Sequence, residues 1–141
     1  MIPDTNLLIY AHDSTSPQHD VARDWWEATL SGREPVSIPF VVLMAFMRLV
    51  THPMINQNPM SVSSAREIID SWEAVPVVQF ISGRSGTLKL AWDLLESTQA
   101  GGNLTTDAVI AAHALEAGAT IYSNDRDFDR FSELKWLNPL T

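Results

Sequence analysis

Short apolar runs alternate with longer amphipathic segments along this chain. The runs at residues 1–3, 36–38, 77–81 and 119–122 have the length of buried strands, and residues 136–137 predict a last, short edge strand. Apolar residues at helical spacing predict helices over residues 6–11, 17–30, 39–50 and 64–72, from 85 to the break at Gly101, and from 105 or 106 to Gly118. This alternation predicts an α/β fold, with a parallel sheet and helices on both faces.

Three of the predicted helices carry more specific expectations. Residues 40–50 are almost wholly apolar, which predicts a helix that is buried on most sides. In the helix that starts at residue 85, the spacing of Leu88, Trp92 and Leu95 predicts the buried stripe. A capping box that begins at Ser64 predicts the start of the fourth helix. Most of the five tryptophans fall on such stripes, so we expect them in the core.

Composition bounds the class of protein. The 141 residues fit one domain, 1–141, which buries about 68% of its unfolded surface without needing a disulfide or a structural metal. The chain has no cysteine, which excludes thiolate catalysis and suits the cytoplasm. The net charge of −8 argues against broad binding to nucleic acid, although not against one selected substrate. We find no signal peptide and no membrane-spanning run, and therefore expect a cytoplasmic protein without a membrane partner.

Four aspartates stand where a predicted strand ends or a predicted helix begins. Asp4 follows the first strand, Asp107 opens the alanine-rich helix, and Asp125 and Asp127 follow the strand at 119–122. In an open α/β sheet such positions converge on one crevice. Carboxylates about 5 Å apart repel one another by about 3 kcal/mol per pair at an effective dielectric of about 20. A hard divalent cation with oxygen ligands relieves this repulsion, so the pattern predicts a metal site.

Each aspartate taken alone also has an ordinary structural interpretation. Asp107 suits the dipole of a helix in its first turn, and Asp4 and Asp125 suit turns or N-caps. An EF-hand loop starting at Asp125 is excluded, because its sixth and twelfth positions hold Arg130 and Trp136 instead of Gly and Glu. The functional interpretation therefore depends on the coincidence of all four aspartates at these positions.

Several segments resemble a known family. Residues 2–11 (IPDTNLLIYA) resemble the opening of PIN-domain proteins, and residues 106–108 (TDA) and 123–128 (SNDRDF) resemble their C-terminal motifs. Residues 46–53 (FMRLVTHP) are similar to the middle helix of the VapC branch, the toxins of type II VapBC toxin–antitoxin pairs. The resemblance covers nearly the whole chain in the expected order. It implies a single PIN-like three-layer α/β/α domain, in which helices flank a parallel sheet of about five strands.

The resemblance also implies an activity and a site. It implies a magnesium- or manganese-dependent endoribonuclease that cleaves selected structured RNA such as tRNA or ribosomal RNA, with a VapB-type antitoxin as partner and a homodimer as assembly. Matching motif by motif gives the metal ligands Asp4, Asp107 and Asp125, with Asp127 close by as a fourth catalytic residue. Polar positions that would support these carboxylates are matched by Thr5, Asn6 and Ser123.

One position departs from the family pattern. The middle helix normally supplies a further acid three residues before Arg48, and this chain has Ala45 there. Three explanations are open: a laboratory substitution that silences a toxic nuclease, a natural loss that leaves a weak or dead enzyme, and compensation by Asp127. The otherwise intact motifs favour the first. In each case we expect this chain to bind metal more weakly than a variant with an acid at position 45.

The alternative to an active enzyme is a catalytically dead PIN-like binding module. It would act through contacts with an antitoxin or a second copy, and a basic antitoxin residue, often Arg in such pairs, would enter the acidic crevice. The apolar helix at 40–50 and the Trp-bearing helices offer surface for such a partner or for a homodimer. A HAD-type phosphatase fits poorly, because Asn6 stands where its second aspartate is required.

Overall fold

Five strands and six α-helices alternate along the computed structural model, which describes residues 1–99 and 101–141. The strands are β1 (Ile2–Pro3), β2 (Val36–Pro39), β3 (Val78–Ile81), β4 (Ile121–Tyr122) and β5 (Trp136–Leu137). The helices are α1 (Thr5–His12), α2 (His19–Leu30), α3 (Phe40–Val50), α4 (Val62–Glu73), α5 (Ser85–Thr98) and α6 (Thr105–Ala117). Short 3-10 turns occupy Gly102–Leu104 and Arg126–Arg130. The predicted α/β class is confirmed.

All strand pairings of the described chain are parallel. β4 lies between β1 and β5, while β2 pairs with β3. The two groups adjoin where the backbone N–H of Ser37 donates to the carbonyl oxygen of Met1 at 2.9 Å. Pro3 lies opposite Tyr122 in the register of β1 and β4. The residues that follow these two strands therefore emerge side by side at one edge of the sheet.

An aromatic cluster holds α3 and α4 in place. The ring centroids of Phe46 and Trp72 lie 4.9 Å apart, and Trp72 meets Trp26 edge-on at 5.7 Å. The ring of His12, on α1, lies 5.6 Å from Trp72. Each large side chain buried in this way contributes roughly 1.5–3 kcal/mol to the free energy of folding. The cluster thereby fixes α3 relative to the edge of the sheet where α1 begins.

The α3 helix is less buried than its composition predicts. Phe40 is 51% exposed and Met44 is 68% exposed, and with Arg48 they form one exposed stripe. The other eight residues are buried or half-buried, so the expectation of burial on most sides is confirmed except along this stripe. The buried face consists of Val42, Leu43, Phe46 and Val50.

The predicted buried stripe of α5 is wrong. Leu88 is 49% exposed and Trp92 is 58% exposed, whereas Thr87 and Ala91 are buried. The Thr87 hydroxyl donates to Glu116 on α6 at 2.7 Å. Small side chains and this hydrogen bond turn the face that carries Thr87 towards α6, and Leu88 and Trp92 are left outside, while Leu95 is half-buried against the core. Trp92 consequently does not join the core.

Helix boundaries correct two predicted caps. Ser61, not Ser64, caps α4, because its hydroxyl accepts from the backbone N–H of Ser64 at 3.1 Å. A threonine, Thr105 or Thr106, is also expected to cap α6 at its predicted start, but Leu104 is the N-cap and Thr105 already lies in the first turn. Gly118 ends α6 with φ of 61°, as predicted. No helix of the described residues has the length and apolarity needed to cross a membrane.

Candidate metal centre

Asp4 is held at the carboxyl end of β1 by hydrogen bonds to both of its oxygens. It is the N-cap of α1, and Oδ1 accepts from the backbone N–H of Thr5 at 2.7 Å. Oδ2 accepts from the hydroxyl of Ser123 at 2.6 Å. Asp4 is only 7% exposed, so these donors replace the water that an ionised carboxylate loses on burial.

Ser123 connects the ends of β1 and β4. Its Oγ, besides donating to Asp4, accepts from the backbone N–H of Asp125 at 2.9 Å and from Nδ2 of Asn6 at 3.4 Å. Oδ1 of Asn6 in turn accepts from the backbone N–H of Asn124 at 3.4 Å. The three polar residues expected to support the carboxylates thus contact them or the loop that carries them.

Three carboxylates converge beside Asp4. Asp107 lies in the first turn of α6, and Asp125 caps the 3-10 turn by accepting from the backbone N–H of Asp127 at 2.8 Å. One oxygen from each of Asp107, Asp125 and Asp127 lies within 4.8 Å of the others. Arg130 reaches Asp127 at 3.6 Å between Nε and Oδ1. Within the described part of the chain, this trio is the group of acids spaced to share one ion.

Burial and neighbouring negative charge raise the pKa values of Asp107 and Asp4. Burial, and then the negative charges of Asp4, Asp125 and Asp127, raises the pKa of Asp107 to about 7. Burial also raises the pKa of Asp4, against the opposing effect of its bonds from Ser123 and Thr5. Without a cation the cluster therefore tends to hold a proton, because fully ionised carboxylates at this spacing repel one another.

The donor set suits a hard divalent cation. All the donors are carboxylate oxygens. Magnesium and manganese prefer this type of ligand, whereas softer metals prefer nitrogen or sulfur ligands. The trio of Asp107, Asp125 and Asp127 differs from the expected ligand set, in which Asp4 takes the place of Asp127. Each oxygen of Asp4 already accepts one hydrogen bond, but it has a further lone pair for an ion. The structure therefore brings all four acids together. Asp107, Asp125 and Asp127 are spaced to share an ion, and Asp4 is buried beside them.

Ala45 lies near the start of α6. It is half-buried on α3 and lines a cavity together with Thr106, the residue that precedes Asp107. α3 has no acidic residue, so it contributes no carboxylate to the site. An acid at position 45 would add its charge at the start of α6.

Two residues that hold the loop of the site were not anticipated. Nδ2 of Asn138, just after β5, donates to Oδ1 of Asn124 at 2.8 Å and so braces the loop that carries Asp125. Arg130 neutralises part of the charge on Asp127. The spacing of Asp127 and Arg130, three residues apart, is a sequence signal for this ion pair. Asn138 gives no such signal, because its contact depends on the pairing of β4 with β5.

Comparison with known proteins agrees with the fold and the motifs. The profile of the PIN domain family matches residues 1–134. Ribonuclease VapC33 of Mycobacterium tuberculosis is 35% identical over 140 residues, which cover 99% of this chain and 98% of that protein. Ribonuclease VapC37 of the same organism is 33% identical over 138 residues, which cover 98% of this chain and 96% of that protein.

Solved structures show the same fold. The crystal structure of VapC20 from Mycobacterium tuberculosis, described as a sarcin–ricin loop cleaving toxin, has a TM-score of 0.71 at 20% identity and covers 95% of this chain and 98% of its own. VapBC2 from Rickettsia felis, bound to a promoter DNA fragment, has a TM-score of 0.70 at 20% identity and covers 97% and 96%. The chain belongs to the PIN domain family, in the branch of the VapC proteins.

Proposed function

We propose that this chain is a metal-dependent endoribonuclease, the toxin of a toxin–antitoxin pair, and that it cleaves selected structured RNA such as tRNA or ribosomal RNA. The observation that carries the proposal is the convergence of Asp107, Asp125 and Asp127 within 4.8 Å, beside the buried Asp4. Nearly full-length similarity to proteins named as ribonucleases supports it.

The carboxylates divide the work according to their surroundings. Asp107, Asp125 and Asp127 would hold one or two magnesium or manganese ions, and the buried Asp4 would be a further ligand. Such an ion stabilises charge that builds on the phosphate and lowers the pKa of a water. Asp127 is only half-buried, so it is placed to orient that water or to take its proton. The 2.6 Å bond from Ser123 favours the ionised form of Asp4 and orients its carboxylate.

The antitoxin is the proposed protein partner. Solved relatives are complexes of VapB with VapC, some of them bound to DNA. A basic side chain from such a partner would supply the positive charge that the acidic cluster requires and would exclude the metal. We place the pair in the cytoplasm, where RNA substrates are found.

An RNA cleavage assay tests the proposal. The purified chain is incubated with total tRNA and ribosomal RNA in magnesium, in manganese and in EDTA, beside an Asp125→Asn variant and a matched Asp93→Asn variant. Asp93 is an exposed acid on α5 that does not belong to the carboxylate trio. We expect cleavage that EDTA and Asp125→Asn abolish and that Asp93→Asn retains. Cleavage that survives both EDTA and Asp125→Asn would contradict the metal-dependent mechanism.

The binding module is the second candidate, and Ala45 is the observation that favours it. In that case neither metal produces cleavage, while the chain still binds the product of a short reading frame immediately upstream of its gene. Restoring the acid separates the two candidates, because a chain that gains cleavage with Ala45→Glu has an otherwise competent site.

A further inference from the structure

A cavity of about 480 Å³ lies between the end of β3, the start of α5 and the last turns of α6. Its apolar side is formed by Phe80, Ile81 and Ala117. None of the four aspartates of the metal centre is among the described residues that line it. His113, which lines it from α6, lies six residues after Asp107, about 9 Å further along the helix. The cavity is therefore separate from the metal centre.

The side chain of His113 is buried at this cavity without a polar partner. It is only 6% exposed. Within residues 1–99 and 101–141, neither nitrogen of its ring forms a hydrogen bond or an ion pair. A buried polar group costs free energy unless it is hydrogen-bonded, so the imidazole of His113 needs a partner that enters the cavity from solvent.

The loop before α5 comes close to this imidazole. Gly83 has a φ of +84°, and a Cβ there would lie 2.9 Å from Cε1 of His113. Only glycine therefore permits the approach without strain. The hydroxyl of Thr87 fixes the loop, because it accepts from the backbone N–H of Arg84 at 3.0 Å and donates to Glu116 at 2.7 Å. The backbone at the start of α5 is thus held beside the ring of His113.

Positive charge surrounds the opening of the cavity. α5 has 14 residues, and the backbone N–H groups of Ser85 and Gly86 in its first turn donate to no described residue. Free N–H groups at a helix N-terminus carry partial positive charge and bind anions. The guanidinium group of Arg84 is exposed, lines the cavity and has no acidic partner within the described part of the chain.

We propose that this cavity binds a phosphate group, which accepts hydrogen bonds from the start of α5, from Arg84 and from the ring of His113. The site goes beyond the proposed ribonuclease function and does not depend on it. A guanidinium group binds phosphate through two parallel hydrogen bonds. The volume falls within the about 300–1,000 Å³ of small-molecule sites, so the apolar side has room for the sugar or base of a nucleotide.

Anion binding at this site should be coupled to protonation of His113. Burial lowers the pKa of His113, and the carboxylate of Glu116 acts in the opposite direction. Glu116 and Arg84 are the charged groups among the described residues of the lining. Glu116 repels an anion, but it also favours the imidazolium form of His113, which attracts one. A bound anion favours the same form, so binding should bring a proton onto the ring.

NMR titration of the isotope-labelled chain with sulfate gives the first test. Sulfate has the geometry and charge of phosphate, and its charge is the same at pH 5 and pH 8. The ionic strength is held constant with chloride. We expect saturable shifts of the amide signals of residues 83–86. Because binding takes up a proton, the affinity should be roughly threefold higher at pH 5 than at pH 8.

Three substitutions assign this binding to the cavity. Arg84→Gln removes the guanidinium group, and His113→Leu removes the ring nitrogens. Lys89→Gln is the matched control, because it removes an exposed cation of α5 that does not line the cavity. We expect Arg84→Gln and His113→Leu each to weaken sulfate binding about tenfold, and His113→Leu also to remove its pH dependence. Arg84 is exposed, so its substitution tests the site even if His113→Leu does not fold.

The same amide signals identify the source of the phosphate. Inorganic phosphate, adenosine 5′-monophosphate and a short oligoribonucleotide are compared without divalent metal, so that no cleavage is required. Equal affinity for the first two assigns the site to a free phosphate group. A preference of about tenfold or more for the monophosphate assigns it to a nucleotide, and a further gain with the oligoribonucleotide assigns it to an RNA strand.

Two outcomes would overturn the site. One is the absence of saturable shifts at residues 83–86 with both sulfate and inorganic phosphate. The other is binding that Arg84→Gln and His113→Leu leave at the affinity of Lys89→Gln, because the anion would then be bound elsewhere on the chain.

Discussion

The hydroxyl of Ser123 donates a 2.6 Å hydrogen bond to Oδ2 of Asp4, across 119 positions of sequence. Both residues directly follow paired strands, since β1 ends at Pro3 and β4 ends at Tyr122. Their contact is therefore a consequence of the register of the sheet. It supplies a buried carboxylate with one of its two donors, and the same oxygen of Ser123 orients the loop that carries Asp125.

Replacing Ser123 by alanine should destabilise the fold as well as the site. Ser123→Ala leaves the buried Asp4 with one donor and removes the acceptor for the N–H of Asp125, so we expect a loss of about 2–3 kcal/mol in the free energy of unfolding. The Ser123 bond lowers the pKa of Asp4 by stabilising its ionised form. The loss should therefore be larger at pH 8 than at pH 5 in urea unfolding of the metal-free protein.

Ser97→Ala is the matched control for that substitution. Ser97 is exposed on α5 and its hydroxyl donates only to the carbonyl of Leu94, at 2.7 Å. We expect a change below about 0.5 kcal/mol, without pH dependence. Equal effects of the two substitutions would mean that the bond to Asp4 has no particular role.

The convergence of the aspartates follows from local sequence, whereas the detailed arrangement of the site does not. Apolar runs locate the strand ends, and parallel pairing then brings Asp4 and Asp125 to one edge. The orientation of Asp4 depends on the hydrogen bond from Ser123, 119 positions away, which no local pattern contains. This contact forms only when the two distant segments meet.

For a related reason, the spacing of apolar residues could not predict which of them are exposed. Spacing identifies an apolar stripe but does not say which neighbour will cover it. In α5 the face with Thr87 and Ala91 packs on α6, and the face with Leu88 and Trp92 remains outside. The same limit applies to α3, where Met44 looks like core and lies in solvent.

Restoring an acid on α3 should strengthen metal binding. Ala45→Glu places a fifth carboxylate near the start of α6, and we expect magnesium affinity and RNA cleavage both to rise roughly tenfold, which corresponds to about 1.4 kcal/mol. Isothermal calorimetry and the cleavage assay measure the two effects. Val62→Glu, at an exposed position on α4, makes the same change in net charge and should have neither effect.

A second substitution checks that the gained activity uses the proposed site. Adding Asp4→Asn to Ala45→Glu should abolish cleavage, because Asp4 completes the carboxylate cluster. If the double variant remains active, Asp4 is not part of the metal site. If cleavage and its magnesium dependence are the same with and without Ala45→Glu, position 45 has no role in metal binding.

Asp107 should make the metal-free protein less stable as pH rises. Its pKa of about 7 in the folded protein exceeds the ordinary 3.8, so its contribution to stability is full below pH 4 and is lost as pH rises through 7. A shift of about three units corresponds to about 4 kcal/mol, and partial exposure reduces this to about 2 kcal/mol. We expect Asp107→Asn to stabilise the protein by about 2 kcal/mol at pH 8 in EDTA, and not at pH 4.

Urea unfolding at the two pH values measures this effect, with Asp93→Asn as the exposed control. At pH 8, magnesium should make the unsubstituted chain more stable than Asp107→Asn, because the chain with Asp107 binds the ion more tightly. A variant that is no more stable than the unsubstituted chain at pH 8 would show that burial and the neighbouring acids do not raise the pKa of Asp107 in solution.

Gly83 should not tolerate a side chain. Its φ is +84°, and an added Cβ would lie 2.9 Å from Cε1 of His113 and 3.2 Å from Oγ1 of Thr87. We expect Gly83→Ala to destabilise the protein by about 1–3 kcal/mol in thermal or urea unfolding. Gly86→Ala is the control: nothing lies within 4 Å of its added Cβ, and in α5 it should stabilise slightly, by up to about 1 kcal/mol. A neutral Gly83→Ala would mean that the loop after β3 relaxes freely.

The exposed apolar face of α5 predicts where a homodimer would form. Leu88 and Trp92 are one helical turn apart and are 49% and 58% exposed, and large aromatic residues contribute 2 kcal/mol or more at the centre of many interfaces, about thirtyfold in Kd. We expect sedimentation equilibrium to show a dimer that Trp92→Lys weakens at least tenfold. Val21→Lys, at a 52% exposed apolar position on α2, should leave the dimer intact. If Trp92→Lys leaves the dimer unchanged, the α5 face is not the interface, and the exposed Phe40 and Met44 of α3 become the next positions to substitute.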